Sequence, residues 1–224
     1  MLLAAYDYNS QTHVGQVSND RTTVRSFDLS AEQAQDGVLA LIRLAAAAMP
    51  LPALSANAVP LHEVRLKAPI PRPFRNLWCV GRNFHAHAKE LQASVFKNNA
   101  ADPNAWPIVF TKVPQCVIGP YDTVQLPGGQ ISAQIDYEAE LTVIIGKQGK
   151  NIPRQEAMDH VFGYTIVNDV TARDVQMRHQ QWDMGKSFDT FCPMGPWIVT
   201  SDALDGRQTR IRCWVNQELR QDAP

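Results

Sequence analysis

The stretch at residues 134–141, Q-I-D-Y-E-A-E-L, constrains this chain more than any other. It runs on into T-V-I-I and reads as one long β-strand over 137–145, closed by Gly146. Side chains at i and i+2 of a strand share a face, so Glu138 and Glu140 project side by side. Two carboxylates held that close repel, and burying them without partners is costly. Two outcomes remain open. The pair lies on the wet face of an edge strand, as most glutamates do. Alternatively a hard divalent cation such as Mg²⁺, which takes oxygen ligands, joins them.

Other residues bear on that choice. Asp169 ends the apolar run F-G-Y-T-I-V-N. It is either a third carboxylate for an octahedral Mg²⁺ or Mn²⁺ site, or the N-cap of a helix beginning near Thr171. His87 and Glu90, in G-R-N-F-H-A-H-A-K-E, are three apart and share a helix face. A carboxylate that orients an imidazole makes a general base able to activate water; the alternative is a solvated helix turn. Arg173, Gln176 and Lys186 are candidates for holding an acidic substrate, since guanidinium pairs well with carboxylates. Each also reads as part of a solvated face, Lys186 least so, because the apolar, turn-rich S-F-D-T-F-C-P-M-G-P-W follows it.

Composition narrows the class. The 224 residues suffice for one larger domain, or a core domain with a small appendage. A net charge of −1 without a basic run points away from nucleic acid and from a membrane surface. The four cysteines are scattered with no C-x-x-C pair, which argues against zinc and against a disulfide framework. Free thiols in a reducing cytoplasm are expected. The start M-L-L-A-A-Y-D lacks a cationic segment, and the alanine-rich stretch 38–49 is interrupted by Arg43. Neither a targeting segment nor a membrane span is expected. There is no G-x-S-x-G, P-loop, G-x-G-x-x-G or H-E-x-x-H, so a serine hydrolase or nucleotide enzyme has no support.

Residues 1–28 read as three short strands with turns at Asn9-Ser10 and Asn19-Asp20. Ser30 opens a helix with the capping-box spacing S-x-x-Q, and the prolines at 50 and 52 close it. Six prolines over 50–73 mark a linker. The predicted organisation is a small N-terminal α+β domain with its linker over 1–70, and a main body over 71–224. That body holds many short strands and few helices, one of them predicted over 153–160. The fold class is α+β, β-rich and rolled or barrel-like.

In sequence order, G-R-N-F-H-A-H-A-K-E (81–90), P-I-V-F-T-K (107–112), D-Y-E-A-E-L-T-V-I-I-G (136–146), G-Y-T-I-V-N-D-V-T-A-R-D-V-Q (163–176) and G-K-S-F-D-T-F-C-P-M-G-P-W (185–197) resemble the fumarylacetoacetate hydrolase family, in its smaller bacterial-type branch. The resemblance implies the family's mixed β-roll. It implies that Glu138, Glu140 and Asp169 are metal-binding carboxylates for Mg²⁺ or Mn²⁺. His87 and Glu90 would form the His–Glu pair of a lid, Gln176 and Lys186 would line the substrate pocket, and Arg173 belongs to the motif beside the metal. The implied activity is C–C hydrolysis of a small 2-oxo acid of the acylpyruvate or fumarylpyruvate type through a metal-stabilised enolate. Decarboxylation, keto–enol isomerisation, or metal binding without turnover are the alternatives. A homodimer in the cytoplasm is expected. Family members continue past the last segment seen here, so a C-terminally truncated sheet with exposed edges is expected. Gln217 occupies a hairpin-turn position where positive φ favours glycine.

Overall fold

Asn9 and Ser10 adopt φ of 49° and 62°. The two-residue turn they form closes β1 (Leu2–Tyr8) onto β2 (Gln11–Val17) in unbroken antiparallel register. The computed structural model describes residues 1–81, 106–178 and 181–224. β3 (Thr23–Ser26) pairs β2, β4 (Val59–Pro60) pairs β3, and β5 (Arg65–Leu66) pairs the end of β1. The capping box at Ser30 forms as expected. Its hydroxyl accepts from the Gln33 amide at 3.2 Å, and the Gln33 side chain accepts from the Ser30 amide at 3.0 Å.

The helix predicted beyond Ser30 is two helices, α1 (Ala31–Gln35) and α2 (Leu39–Ala46). Gly37, at φ +64°, sits between them. A Cβ there would lie 2.3 Å from the Pro69 carbonyl oxygen, which also accepts the Val38 amide at 2.7 Å. The close approach of the 69–71 segment therefore needs glycine and breaks the helix.

The main body contributes β6 (Leu77–Gly81), β7 (Ile108–Lys112), β8 (Val117–Ile118), β9 (Ile135–Asp136), β10 (Ala139–Ile145) and β11 (Val161–Asn168). There follow β12 (Thr171–Ala172), α3 (Arg173–Arg178), α4 (Asp183–Lys186), β13 (Cys192–Pro193) and β14 (Ile198–Thr200). A terminal hairpin pairs β15 (Ile211–Val215) with β16 (Glu218–Ala223). The 153–160 segment is a 3₁₀-helix, Arg154–His160. The long strand begins at Ala139, so Glu138 lies in the step between β9 and β10.

Among the described residues the fold is strand-rich α+β. One eight-stranded sheet runs β10-β11-β14-β1-β2-β3-β4, with β5 attached to β1. It stays open and does not close into a barrel. Residues on both sides of position 70 share this sheet through the β1–β14 pair. They also share one core, in which Leu39, Leu41 and Ile42 of α2 join Val167, Phe191 and Ile198. Burying this continuous apolar interior is the main stabilising term. β10 is an outer strand of the sheet, and its Val143 and Ile145 are exposed. All four cysteines are free.

Candidate active site

The antiparallel ladder between β10 and β11 puts Ala139 opposite Asn168. One residue further, the Asp169 amide donates to the Glu138 carbonyl at 2.8 Å, and the Asn168 side chain accepts the Glu138 amide at 3.1 Å. Glu138 and Asp169 therefore face each other where the ladder opens. Below them β9 pairs β12, with Thr171 opposite Asp136, which leads directly into α3. α4 packs close on α3. A Cβ on Gly185 would lie 2.5 Å from the Gln176 amide nitrogen, so only glycine admits this approach. That contact brings Lys186 into the interior, where it is 1% exposed.

Lys186 Nζ donates to Glu138 Oε2 at 2.5 Å and to Asp169 Oδ2 at 2.6 Å, bridging the two carboxylates. It also lies 4.8 Å from the centroid of the Phe110 ring. Arg173 donates through Nε and Nη2 to Asp136 Oδ2 at 2.9 and 2.7 Å, and through Nη2 to Glu138 Oε1 at 2.5 Å. Its Nη1 reaches Gln176 Oε1 at 3.2 Å. Asp169 does not cap a helix with its side chain; its carboxylate faces ammonium groups instead. Lys112, fully buried at the end of β7, places Nζ 2.8 Å from Asp169 Oδ1. Lys112 also donates to the Val170 carbonyl at 3.2 Å and, through a short contact, to the Lys186 carbonyl.

The distance and the direction of the Lys112–Asp169 contact disagree. The separation is that of an ion pair, yet Asp169 Oδ1 is buried without any aligned hydrogen bond. The distance is the better guide, because attraction between unit charges does not depend on donor angle. Burial pushes the Asp169 carboxyl up, but the charges of Lys112 and Lys186 outweigh it and hold the carboxyl below its ordinary range. Burial likewise lowers the Arg173 guanidinium, but Glu138 and Asp136 prevail and raise it.

Glu140 behaves differently. Among the described residues its carboxylate has no hydrogen-bond or ion-pair partner, though its backbone lies in the β10–β11 ladder. Burial first, then the charges of Glu138 and Asp169, push its carboxyl up to about 7, with Lys186 opposing. That is the pattern of a carboxylate short of positive charge. A buried Asp169 oxygen without an aligned donor, a partnerless Glu140 and an all-oxygen donor set fit a hard divalent cation. Among the described residues no three acidic, histidine or cysteine side chains are drawn together into a ready cage, because Lys186 sets the spacing of Glu138 and Asp169.

These groups form the floor of an open groove of ≈ 1890 Å³, walled in part by Trp78, Phe110 and Trp182. It is about twice the upper size of ordinary small-molecule pockets. Glu138, Glu140, Asp169, Arg173, Gln176 and Lys186 all line it, so six of the eight residues singled out in the sequence meet at one place. His87 and Glu90 lie outside the described residues. Cys79 also lines the groove. Burial, then the charge of Asp169, push its thiol up to about 12, which leaves it too little thiolate for a nucleophile. Sequence reasoning assigned no role to Lys112 or Asp136. The available signal for Lys112 was a lysine ending the apolar strand I-V-F-T-K, where an exposed cation is out of place.

Known proteins resemble this chain in sequence and in fold. The family profile described as fumarylacetoacetate (FAA) hydrolase C-terminal matches residues 76–224. A protein from Bacillus subtilis (strain 168) named oxaloacetate tautomerase YisK is 48% identical over 162 residues, covering 72% of this chain and 52% of that protein. The solved fumarylacetoacetate hydrolase from psychrophilic Exiguobacterium antarcticum superposes with a TM-score of 0.78 at 35% identity, over 100% of this chain and 75% of that one. A maleylpyruvate hydrolase from Sphingobium sp. SYK-6, solved in complex with manganese(II) ion and pyruvate, superposes with a TM-score of 0.69 at 28% identity, over 100% of this chain and 76% of that one. The chain spans about half to three fifths of the length of the curated relatives it matches. Among the described residues no helix is long and apolar enough to cross a membrane.

Proposed function

This chain belongs to the fumarylacetoacetate hydrolase family, and on that premise we propose that it catalyses keto–enol tautomerisation of a small 2-oxo diacid of the oxaloacetate type, with a divalent metal. The observation that carries the reading is the Lys186 ammonium at the floor of the groove, held between Glu138 and Asp169 at 2.5 and 2.6 Å. The name of the Bacillus relative supports the choice of reaction.

Glu138, Glu140 and Asp169 would hold the ion. A bound Mg²⁺ or Mn²⁺ supplies Lewis-acid polarisation of a carbonyl oxygen. The chain's own residues supply the rest. Lys186 presents a fixed positive charge to the oxygen on which charge develops as a proton leaves carbon. Being already oriented by two carboxylates, it needs no reorganisation during the reaction. Arg173 locks Glu138 against Asp136, so its guanidinium orients a ligand carboxylate as well as bordering the substrate space. Gln176 supplies a neutral polar contact beside it. His87 and Glu90 would move the proton at the substrate carbon, an assignment that rests on the family resemblance.

C–C hydrolysis of an acylpyruvate-type substrate is the second reading, favoured by the likeness to a maleylpyruvate hydrolase. Both ask for charge stabilisation at the same oxygen, and they differ in whether water attacks a distal carbonyl. The test follows the enol absorbance of oxaloacetate with Mg²⁺, with Mn²⁺ and with EDTA, beside an assay for pyruvate released from acylpyruvates. Metal-dependent loss of enol absorbance is expected. No acceleration with either ion, or acceleration untouched by EDTA, would sink the reading. Pyruvate release at a comparable rate would favour hydrolysis.

A further inference from the structure

We infer that Lys112 is a positioning residue of this site, acting through Asp169: its buried ammonium registers the Asp169 carboxylate against Lys186. The inference rests on the metal-site reading proposed above.

Lys112 leaves β7 and ends among three segments. Its Nζ lies 2.8 Å from Asp169 Oδ1, 3.2 Å from the Val170 carbonyl, and in short contact with the Lys186 carbonyl. It therefore ties the turn after β11 to the end of α4, the two places that carry Asp169 and Lys186. Neither segment is a long regular element: Asp169 follows the last strand residue, and α4 is four residues long. The Lys186–Asp169 bond joins them directly, and Lys112, fully buried among them, adds a second tie from β7 to both.

The seam between β7 and α4 does not itself depend on Lys112. On one side of it Thr111 donates through its amide and hydroxyl to Asp183 at 3.2 and 2.8 Å. On the other, the Val113 amide donates to Ser187 Oγ at 3.2 Å. What Lys112 alone adds is the link to Asp169 and Val170. Its charge also matters. Asp136, Glu138, Glu140 and Asp169 bring four carboxyl groups, and among the described residues Lys112 is one of three cations facing them, with Lys186 and Arg173. A structural lysine would stabilise the fold without setting the site. A positioning lysine sets how Asp169 meets a cation.

The experiment compares wild type, Lys112→Met, Thr111→Val, Asp169→Asn and the Lys112→Met/Asp169→Asn double variant, all as the full chain. Mn²⁺ binding is read from the free-ion EPR signal without substrate, beside melting temperature, kcat and KM. Lys112→Met is expected to weaken Mn²⁺ binding and lower kcat by about 10–100-fold each, the usual loss when a ligand's supporting partner is removed, while KM moves little. Thr111→Val, which cuts a neighbouring tie of the same seam, is expected to lower the melting temperature and leave Mn²⁺ binding unchanged. In the Asp169→Asn background, Lys112→Met is expected to weaken Mn²⁺ binding little further, because its route of action is gone. Equal losses in both backgrounds overturn the inference, as does a Lys112→Met protein that melts lower but binds Mn²⁺ like wild type. If Lys112→Met fails to fold, the double variant decides. Failure of both to fold makes Lys112 purely structural and overturns it too. A wild type that binds no Mn²⁺ defeats the metal reading and this inference with it, which is a different outcome from wild type and Lys112→Met binding alike.

Discussion

Two charged regions of this molecule use the same chemistry to different ends. At the groove floor Lys186 and Lys112 meet Glu138 and Asp169 with almost no solvent access. On the terminal hairpin, Arg210 and Arg212 meet Asp222 at the surface, where both arginines are about half exposed. Water screens the hairpin pairs and offers each charge a good alternative. At the groove floor no such alternative exists. Removing one partner there leaves the others buried with less opposing charge than they need. The lesson is that the presence of an ion pair says little, and its burial says what depends on it.

The largest effect should come from breaking the buried bridge. Lys186→Ala takes away the cation between Glu138 and Asp169, which keep Arg173 and Lys112, and is expected to cost about 3 kcal/mol in urea unfolding, the low end for a broken buried pair, along with turnover. Wild-type stability there would mean that water reaches the floor freely.

The next effect is conditional on pH. The carboxyl of Glu140 is raised in the folded chain, from an ordinary value of 4.5 to about 7. Between those values the native state holds a proton that the unfolded state has lost. The contribution of Glu140 to stability is therefore present below pH 4.5 and falls away as pH rises through 7. A cation at this site competes with that proton. The rise in melting temperature given by saturating Mg²⁺ should thus be larger near about pH 8 than near about pH 6. An equal rise at both would show that Glu140 is no part of the cation site.

A smaller effect is expected away from charge altogether. Asn216 and Gln217 turn the β15–β16 hairpin at φ 49° and 69°. The positive φ anticipated for Gln217 is thus observed, and glycine adopts it without steric cost. Gln217→Gly should stabilise the chain by about 1 kcal/mol, read from the urea midpoint. The smallest effect completes the comparison. Arg210→Ala, at the exposed pair with Asp222, should leave that midpoint unchanged within error. A clear loss would show that the hairpin charges are shielded by something that packs on them.

Much of this was legible in the chain. The Asn9-Ser10 turn and the Ser30 capping box are written in adjacent residues, and each formed as read. So did the shared side of Glu138 and Glu140, although Glu138 sits just before the strand rather than inside it. Asp169 was legible as a choice between ligand and cap, and its local sequence alone did not decide. The break of the expected helix at Gly37 was not legible, because its cause is the carbonyl of Pro69, which nothing near residue 37 announces. The roles of Arg173 and Lys112 were hidden for a related reason. Arg173 reads as a substrate clamp, and nothing near it in sequence announces that it also holds Asp136 and Glu138. Lys112 reads as the end of a strand until α4 and Asp169 close over it.

By itself, then, the sequence determined the elements and the residue types that can carry chemistry. Turn, cap and strand-face preferences act over a few residues, and the spacing of the two glutamates follows from backbone geometry. Only the tertiary structure decided which charges lose water and which partners they keep. Lys186 and Glu138 are 48 residues apart, and Lys112 contacts the backbone of Lys186 from 74 residues away. The strength of those pairings is set by desolvation, and desolvation is a property of the packed chain rather than of any stretch within it.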